Sequence, residues 1–214
     1  MKLKTGIAGL DELLMGGLPP EILLITGEPG SGIEVFAQQV AYKRAQQTRI
    51  SYLTLNKTVA HIRQEMSGFG WDTTKLEDSG SWRFISISAK QIEDTVEREM
   101  CQNRSIVIDS LSDTLYREEA FDAIKMLKNM SMQNMQIQEL HFALLTKGMQ
   151  DSKTETALQH FADGVIDFTI THGHEFATRK MFIKKLGGVV TPTRNIPYMI
   201  NERGITIETA IRIT

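Results

Sequence analysis

The 214 residues contain a single cysteine, Cys101, which excludes an internal disulfide framework and any cysteine-cluster metal site. With no particular His or Asn to pair it with, Cys101 is expected to be a small half-buried hydrophobe, not a nucleophile. Proline is scarce at five residues, and no Pro- or Ser-rich linker divides the chain, so one domain spanning 1–214 is expected. Long apolar runs are also missing: ILLI at 22–25 falls far short of a membrane span, and the opening MKLKTGIAG has no signal-peptide core. The expected location is therefore the cytoplasm, with no membrane partner. Nor is there an excess of one charge. A formal net charge of −2 gives no general pull toward nucleic acid or anionic lipid. The apolar share of 41% and charged share of 23% exclude disorder, collagen-like repeats and a coiled coil, and no internal repeat is found.

What the chain does hold is an alternation of β-rich runs with helix-period segments, the pattern of a parallel sheet with crossover helices. Strands are predicted at 21–26, 49–55, 82–88, 105–110, 139–146 and 164–170, and helices near 33–47, 58–69, 90–101, 117–135 and 154–162. After 164, GVIDFTITHG, RKMFIKKLGG and ERGITIE read as antiparallel strands joined by turns. Met126, Met130, Met132 and Met135 fall on the fourth helix, where thioethers fill core or interface gaps. His172 and His174, in THGHE between two strands, are read as a solvated pair, not a metal site.

The stretch GEPGSGIE at 27–34 lies where a phosphate loop belongs, between an apolar strand and a helix. In G-x-x-x-x-G-K-[ST], glycines aim backbone N–H groups at phosphate oxygens, the Lys reaches the terminal phosphates, and the hydroxyl holds magnesium. Gly27, Glu28, Pro29, Gly30, Ser31 and Gly32 keep the backbone part, while Ile33 and Glu34 remove both side-chain parts.

The opening TGIAGLDELLMGGLPPEILLITGEPGSG resembles the start of the KaiC and archaeal RecA-like ATPases, whose domains begin T-G-[IV]-x-G-L-D-E-x-x-G-G-G-[IL]-P. FGWDTTKLEDSG (69–80), SIVIDSLSDTL (105–115), HFADGVIDF (160–168) and IPYMINERGITI (196–207) are similar to later family blocks, in family order. The resemblance covers essentially the whole chain. It implies an α/β, RecA-like P-loop NTPase fold with a mostly parallel central sheet flanked by helices and a C-terminal antiparallel meander.

Carried over position by position, the resemblance also implies a disabled site with a degenerate Walker A loop. Family members have Lys and Thr or Ser where this chain has Ile33 and Glu34, and a pair of glutamates where it has Asn56 and Lys57. They also carry a K-[ML]-R-G segment whose Arg acts on the neighbouring subunit's nucleotide. Here the equivalents are Lys185, Leu186, Gly187 and Gly188, so the Lys is kept and the Arg is Gly187. Asp109, matching the Walker B carboxylate, is retained, and Thr146 matches a polar sensor position. Phosphoryl transfer is mostly positioning and charge neutralisation, and an arginine finger alone is worth roughly 10³ to 10⁵ in rate. A lost loop Lys gives up about 1.5–3 kcal/mol of charge-assisted hydrogen bonding. An added carboxylate about 4 Å from the phosphates costs up to roughly 4 kcal/mol at an effective dielectric near 20.

Two placements are expected for Glu34: beside Lys57, or holding a divalent cation jointly with Asp109. The bland alternative is a solvated acid in the first helical turn, favoured by the helix dipole. Three functions compete. The first is a pseudo-ATPase kept as a regulatory, signal-transducing or protein-interaction module, with protein partners or a homo-oligomer (ring or dimer) and at most weak ATP or ADP binding. The second is a slow ATPase using an altered nucleotide pose and Lys185 borrowed from a neighbour. The third is a nucleic-acid binder using Arg179, Lys180, Lys184, Lys185, Arg194 and Arg203, which overall acidity argues against.

Overall fold

The computed structural model describes residues 1–116, 120–173 and 177–207. Nine strands form one sheet in the order β3-β2-β4-β5-β1-β6-β7-β8-β9. The strands are β1 (Ile22–Gly27), β2 (Arg49–Thr54), β3 (Trp82–Ser86), β4 (Arg104–Asp109), β5 (His141–Thr146), β6 (Gly164–His172), β7 (Ala177–Lys185), β8 (Ile196–Asn201) and β9 (Gly204–Ile207). From β3 to β6 every pairing is parallel, and from β6 to β9 every pairing is antiparallel.

The apolar runs explain the middle of this sheet. All six residues of β1 are buried because both faces are covered, which is why ILLI carries no polar alternation. Successive side chains point to opposite faces. Leu23 and Ile25 join one core with Phe36 and Val40 of α2 (Ile33–Arg44), and Ile22 and Leu24 join another with Val96 of α5 (Ile92–Met100) and Met130 of α7 (Ala120–Ile137). The remaining helices are α1 (Ala8–Leu13), α3 (Val59–Gly68), α4 (Thr74–Asp78), α6 (Leu111–Leu115) and α8 (Ser152–Phe161).

Every predicted strand and long helix is present, with shifted ends; positions 117–119 of the helix expected at 117–135 lie outside the described residues. The helix expected at 90–101 begins with a 3-10 turn at Ala89–Gln91, held by a capping box between Ser88 and Gln91. Three short helices, α1, α4 and α6, were not foreseen, and neither was β8, whose strand runs through the family block IPYMIN. Cys101 corrects its expectation. It is exposed at the end of α5, where Gln133 Nε2 lies 3.3 Å from its sulfur, because the helix ends before turning that position inward. Of the four methionines, Met126 and Met130 are buried while Met132 and Met135 are exposed. His172 closes β6 and is exposed, and His174 lies outside the described residues.

Candidate functional site

The glycine loop leaves β1 at Gly27 and enters α2 at Gly32. Gly30 (φ 81°) and Gly32 (φ 86°) occupy the left-handed region, a conformation that L side chains resist. The Ser31 N–H and hydroxyl both donate to Glu28 O, at 3.0 and 2.6 Å, closing the turn on itself. A Cβ at Gly27 would overlap Ser31 Oγ and Ile33 Cγ2. Ile33 therefore lies beneath the loop, 2% exposed, in the core with Phe36 and Phe168. Glu34, in the first turn of α2, is half-buried. From outside, the late strands brace the loop: Arg179 Nε donates to Gly30 O at 3.3 Å, the Tyr198 hydroxyl donates to Ser31 O, and Ile200 Cδ1 fills the space beside Gly32.

Asp109 ends β4 next to the loop's flank and is buried. Tyr52 of β2, itself stacked on Trp82, donates its hydroxyl to Asp109 Oδ2 at 2.6 Å. Burial pushes the Asp109 carboxyl up to about 6; the Tyr52 hydrogen bond opposes this, Glu34 and Glu65 add to it, and Lys57 opposes it. These groups therefore share one electrostatic neighbourhood, but not in the expected pairing. Lys57 Nζ lies 2.8 and 3.1 Å from the Glu65 carboxylate oxygens, and no ion pair joins it to Glu34. The reason is local: α3 starts at Val59, capped by Thr58, and presents Glu65 back toward the lysine. Burial alone would lower the Lys57 pKa, but the hydrogen bond and charge of Glu65, with more distant Asp109 and Glu34, raise it. Among the described residues no three His, Cys, Asp or Glu side chains are grouped to hold a metal ion.

Asn56 is exposed and donates from Nδ2 to Asp113 Oδ2 at 2.9 Å. Thr146 ends β5, its backbone N–H bonded to Ser112 Oγ at 2.8 Å. Sequence reasoning missed the next residue. The Lys147 N–H bonds to Gly27 O at 2.9 Å, and its ammonium lies 2.6 Å from Asp167 Oδ1, which also accepts from Thr26 Oγ1 at 2.5 Å. The available signal was a Lys immediately after the polar end of the fifth strand.

Lys185 and Gly187 are not brought to the loop. Antiparallel pairing of β7 with β6 carries them to the other end of the sheet, where Lys185 Nζ donates to His160 O and Ala162 O at 2.9 and 2.6 Å. The Gly187 N–H donates to Glu21 Oε1 at 2.7 Å, and a Cβ at 187 would overlap that oxygen. Glycine at this position is thus matched to a carboxylate packed against it. Burial lifts the Glu21 carboxyl from 4.5 to about 7; the Gly187 N–H opposes this, Asp163 adds to it and Lys185 opposes it.

A family model described as "ATPase: KaiC" matches residues 3–211. The chain belongs to the KaiC ATPase family. It is similar over 96% of its length to a UPF0273 protein of Thermotoga maritima, with 25% identity and 95% of that protein covered. Over 41% of the chain it is 38% identical to the circadian clock protein KaiC3 of Synechocystis, covering 18% of that protein. The crystal structure of a KaiC-like protein from Pyrococcus horikoshii superposes with a TM-score of 0.82 at 25% identity, covering 97% of this chain and 98% of that one. The parallel sheet with its antiparallel edge is thus the KaiC-like RecA fold. No helix among the described residues is long and apolar enough to cross a membrane.

Proposed function

We propose that this KaiC family member is a pseudo-ATPase, its fold kept as a regulatory or protein-interaction module in the cytoplasm, working with protein partners or as a homo-oligomer. One observation carries the reading: the side chain at the phosphate-loop lysine position, Ile33, is a core residue beneath the loop. The surrounding polar groups support it. Asp109 is engaged by Tyr52, Lys57 by Glu65, and Glu34 adds negative charge at the loop's helix entry. A magnesium nucleotide would meet a glycine turn and a helix N-terminus, but neither a loop ammonium nor a hydroxyl ligand, so these residues do not fit it and no hydrolytic step is assigned. The basic run is also partly engaged, Arg179 by the loop, Lys184 by Asp167 at 3.7 Å and Lys185 by carbonyls, which weighs against nucleic acid.

The test is titration of purified protein with a fluorescent ATP analogue, with and without magnesium, while phosphate release is followed. The expected result is no saturable binding at micromolar concentrations and no release above background. Turnover at the rate of an ordinary family ATPase would sink the reading. Gain of binding in Ile33→Lys with Glu34→Thr, after circular dichroism confirms folding, would localise the change to the loop. A second reading, nucleotide held weakly in an altered pose, is favoured by Lys147 standing beside Gly27. It requires residual binding that Lys147→Ala removes.

A further inference from the structure

On the sheet face opposite α2, helices α5 and α7 frame a groove of about 410 Å³ whose lining includes Val96, Met126, Met130 and Met132. Val96, Met126 and Met130 are buried and form its floor, while Met132 is 63% exposed. Toward the N-terminal ends of the two helices the groove continues into a pocket of about 110 Å³, since Glu93 and Met126 line both. Ala89, Ile92 and Ala123 supply apolar walls to this pocket, and the exposed Asp122 and half-buried Glu93 supply carboxylates. Thr114 of α6 also lines it. That residue is 3% exposed, and its hydroxyl has no hydrogen-bond partner among the described residues. An unmade hydrogen bond at a buried hydroxyl costs about 1–3 kcal/mol, so a ligand able to supply it gains affinity.

We propose that this groove docks an amphipathic helix of a partner protein, with an apolar stripe on the methionines and a lysine or arginine in the pocket. Two features select that occupant. Unbranched thioethers repack around varied apolar side chains, as in other helix-binding grooves. The charge favours a cation: among the described residues Glu93, Glu97 and Asp122 line the two cavities against Lys90, and Lys125 already pairs with Glu93 at 3.1 Å, which leaves the Glu97 and Asp122 carboxylates for a partner. A basic side chain buries its apolar stem and keeps its charged head at a polar group, and this pocket offers apolar walls, a buried oxygen and the Asp122 carboxylate. The site is separate from the glycine loop and does not depend on whether nucleotide binds.

The experiment uses the full chain and two synthetic helical peptides of about 18 residues, ~27 Å long, with leucine on one face and either lysine or glutamate on the other. Binding is read from the anisotropy of a dye on the peptide and from the methyl resonances of labelled methionines. The lysine peptide is expected to bind and to shift the Met126 and Met132 methyls, and the glutamate peptide to bind at least about ten-fold more weakly. Asp122→Lys and Met132→Glu, both at exposed positions, should each weaken the lysine peptide by about ten-fold. Thr114→Val should weaken it by a few-fold. Circular dichroism checks that each variant is folded. Equal binding of the glutamate peptide would overturn the proposal, as would lysine-peptide affinity unchanged in both Asp122→Lys and Met132→Glu. A concentration-dependent dimer dissolved by Met132→Glu would also overturn it, assigning the groove to a second copy of the chain.

Discussion

Ile33 packs with Phe36 and Phe168 beneath Gly27 and contributes to core burial. Truncating it should destabilise the fold. Ile33→Ala is expected to cost about 2–4 kcal/mol, read as a lower urea midpoint with an unchanged slope. A second residue-scale prediction concerns pH. The Glu21 carboxyl titrates near 7 in the folded chain, against 4.5 ordinarily, so the folded state holds the proton more tightly. Stability is then highest below the ordinary value and falls as pH rises through the window between the two. Glu21→Gln keeps an acceptor for the Gly187 N–H without the charge. Its melting temperature should match the parent near pH 4 and exceed it at pH 8. A parent and variant that track each other across that range would show that Glu21 is not the group responsible. The presence of Ile33 and Glu34 after the glycine loop was legible in the sequence, whereas the inward turn of Ile33 was not, because it depends on Phe168 arriving from β6.

At the scale of elements, the loop is fixed less by its own residues than by the antiparallel edge. Tyr198 of β8 and Arg179 of β7 hold carbonyls of residues 30 and 31. Tyr198→Phe should cost about 1 kcal/mol and speed hydrogen exchange of the amides at 30–32 more than those of β1. The opposite end of β7 offers a double-mutant cycle. Gly187→Arg must displace the Glu21 carboxylate, the far end of a flexible side chain, so it should be mildly destabilising alone and less so in a Glu21→Ala background. Purely additive effects would show that the two positions do not compete for space. The long strands were readable because β1, β4 and β5 are apolar runs buried on both faces. Helices α1, α4 and α6 were not, since five or six residues are too short to show a helical period.

Over the whole molecule, the family model matches residues 3–211, and the described residues carry the KaiC-like fold. If the pseudo-ATPase reading holds, nucleotide should leave global stability nearly untouched. Ligand at a concentration equal to its dissociation constant adds only RT ln 2, about 0.4 kcal/mol. Millimolar magnesium ATP is therefore expected to move the melting temperature by no more than about 1–2 °C. A rise of several degrees would mean sub-millimolar binding and would count against the reading.

Two kinds of information shaped this protein. The sequence by itself determined the family, the alternation of strands and helices, and which residues follow the glycine loop, because these depend on residue type and order along the chain. Only the tertiary structure decided where the remaining polar groups spend their hydrogen bonds: Lys57 on Glu65, Asp109 with Tyr52, Lys147 on Asp167 and Gly187 on Glu21. Three of those four pairs lie on elements distant in sequence, and the fourth depends on the capped start of α3. A side chain's reach is a few ångströms, and which partner falls within it is set by how the sheet brings separate elements together.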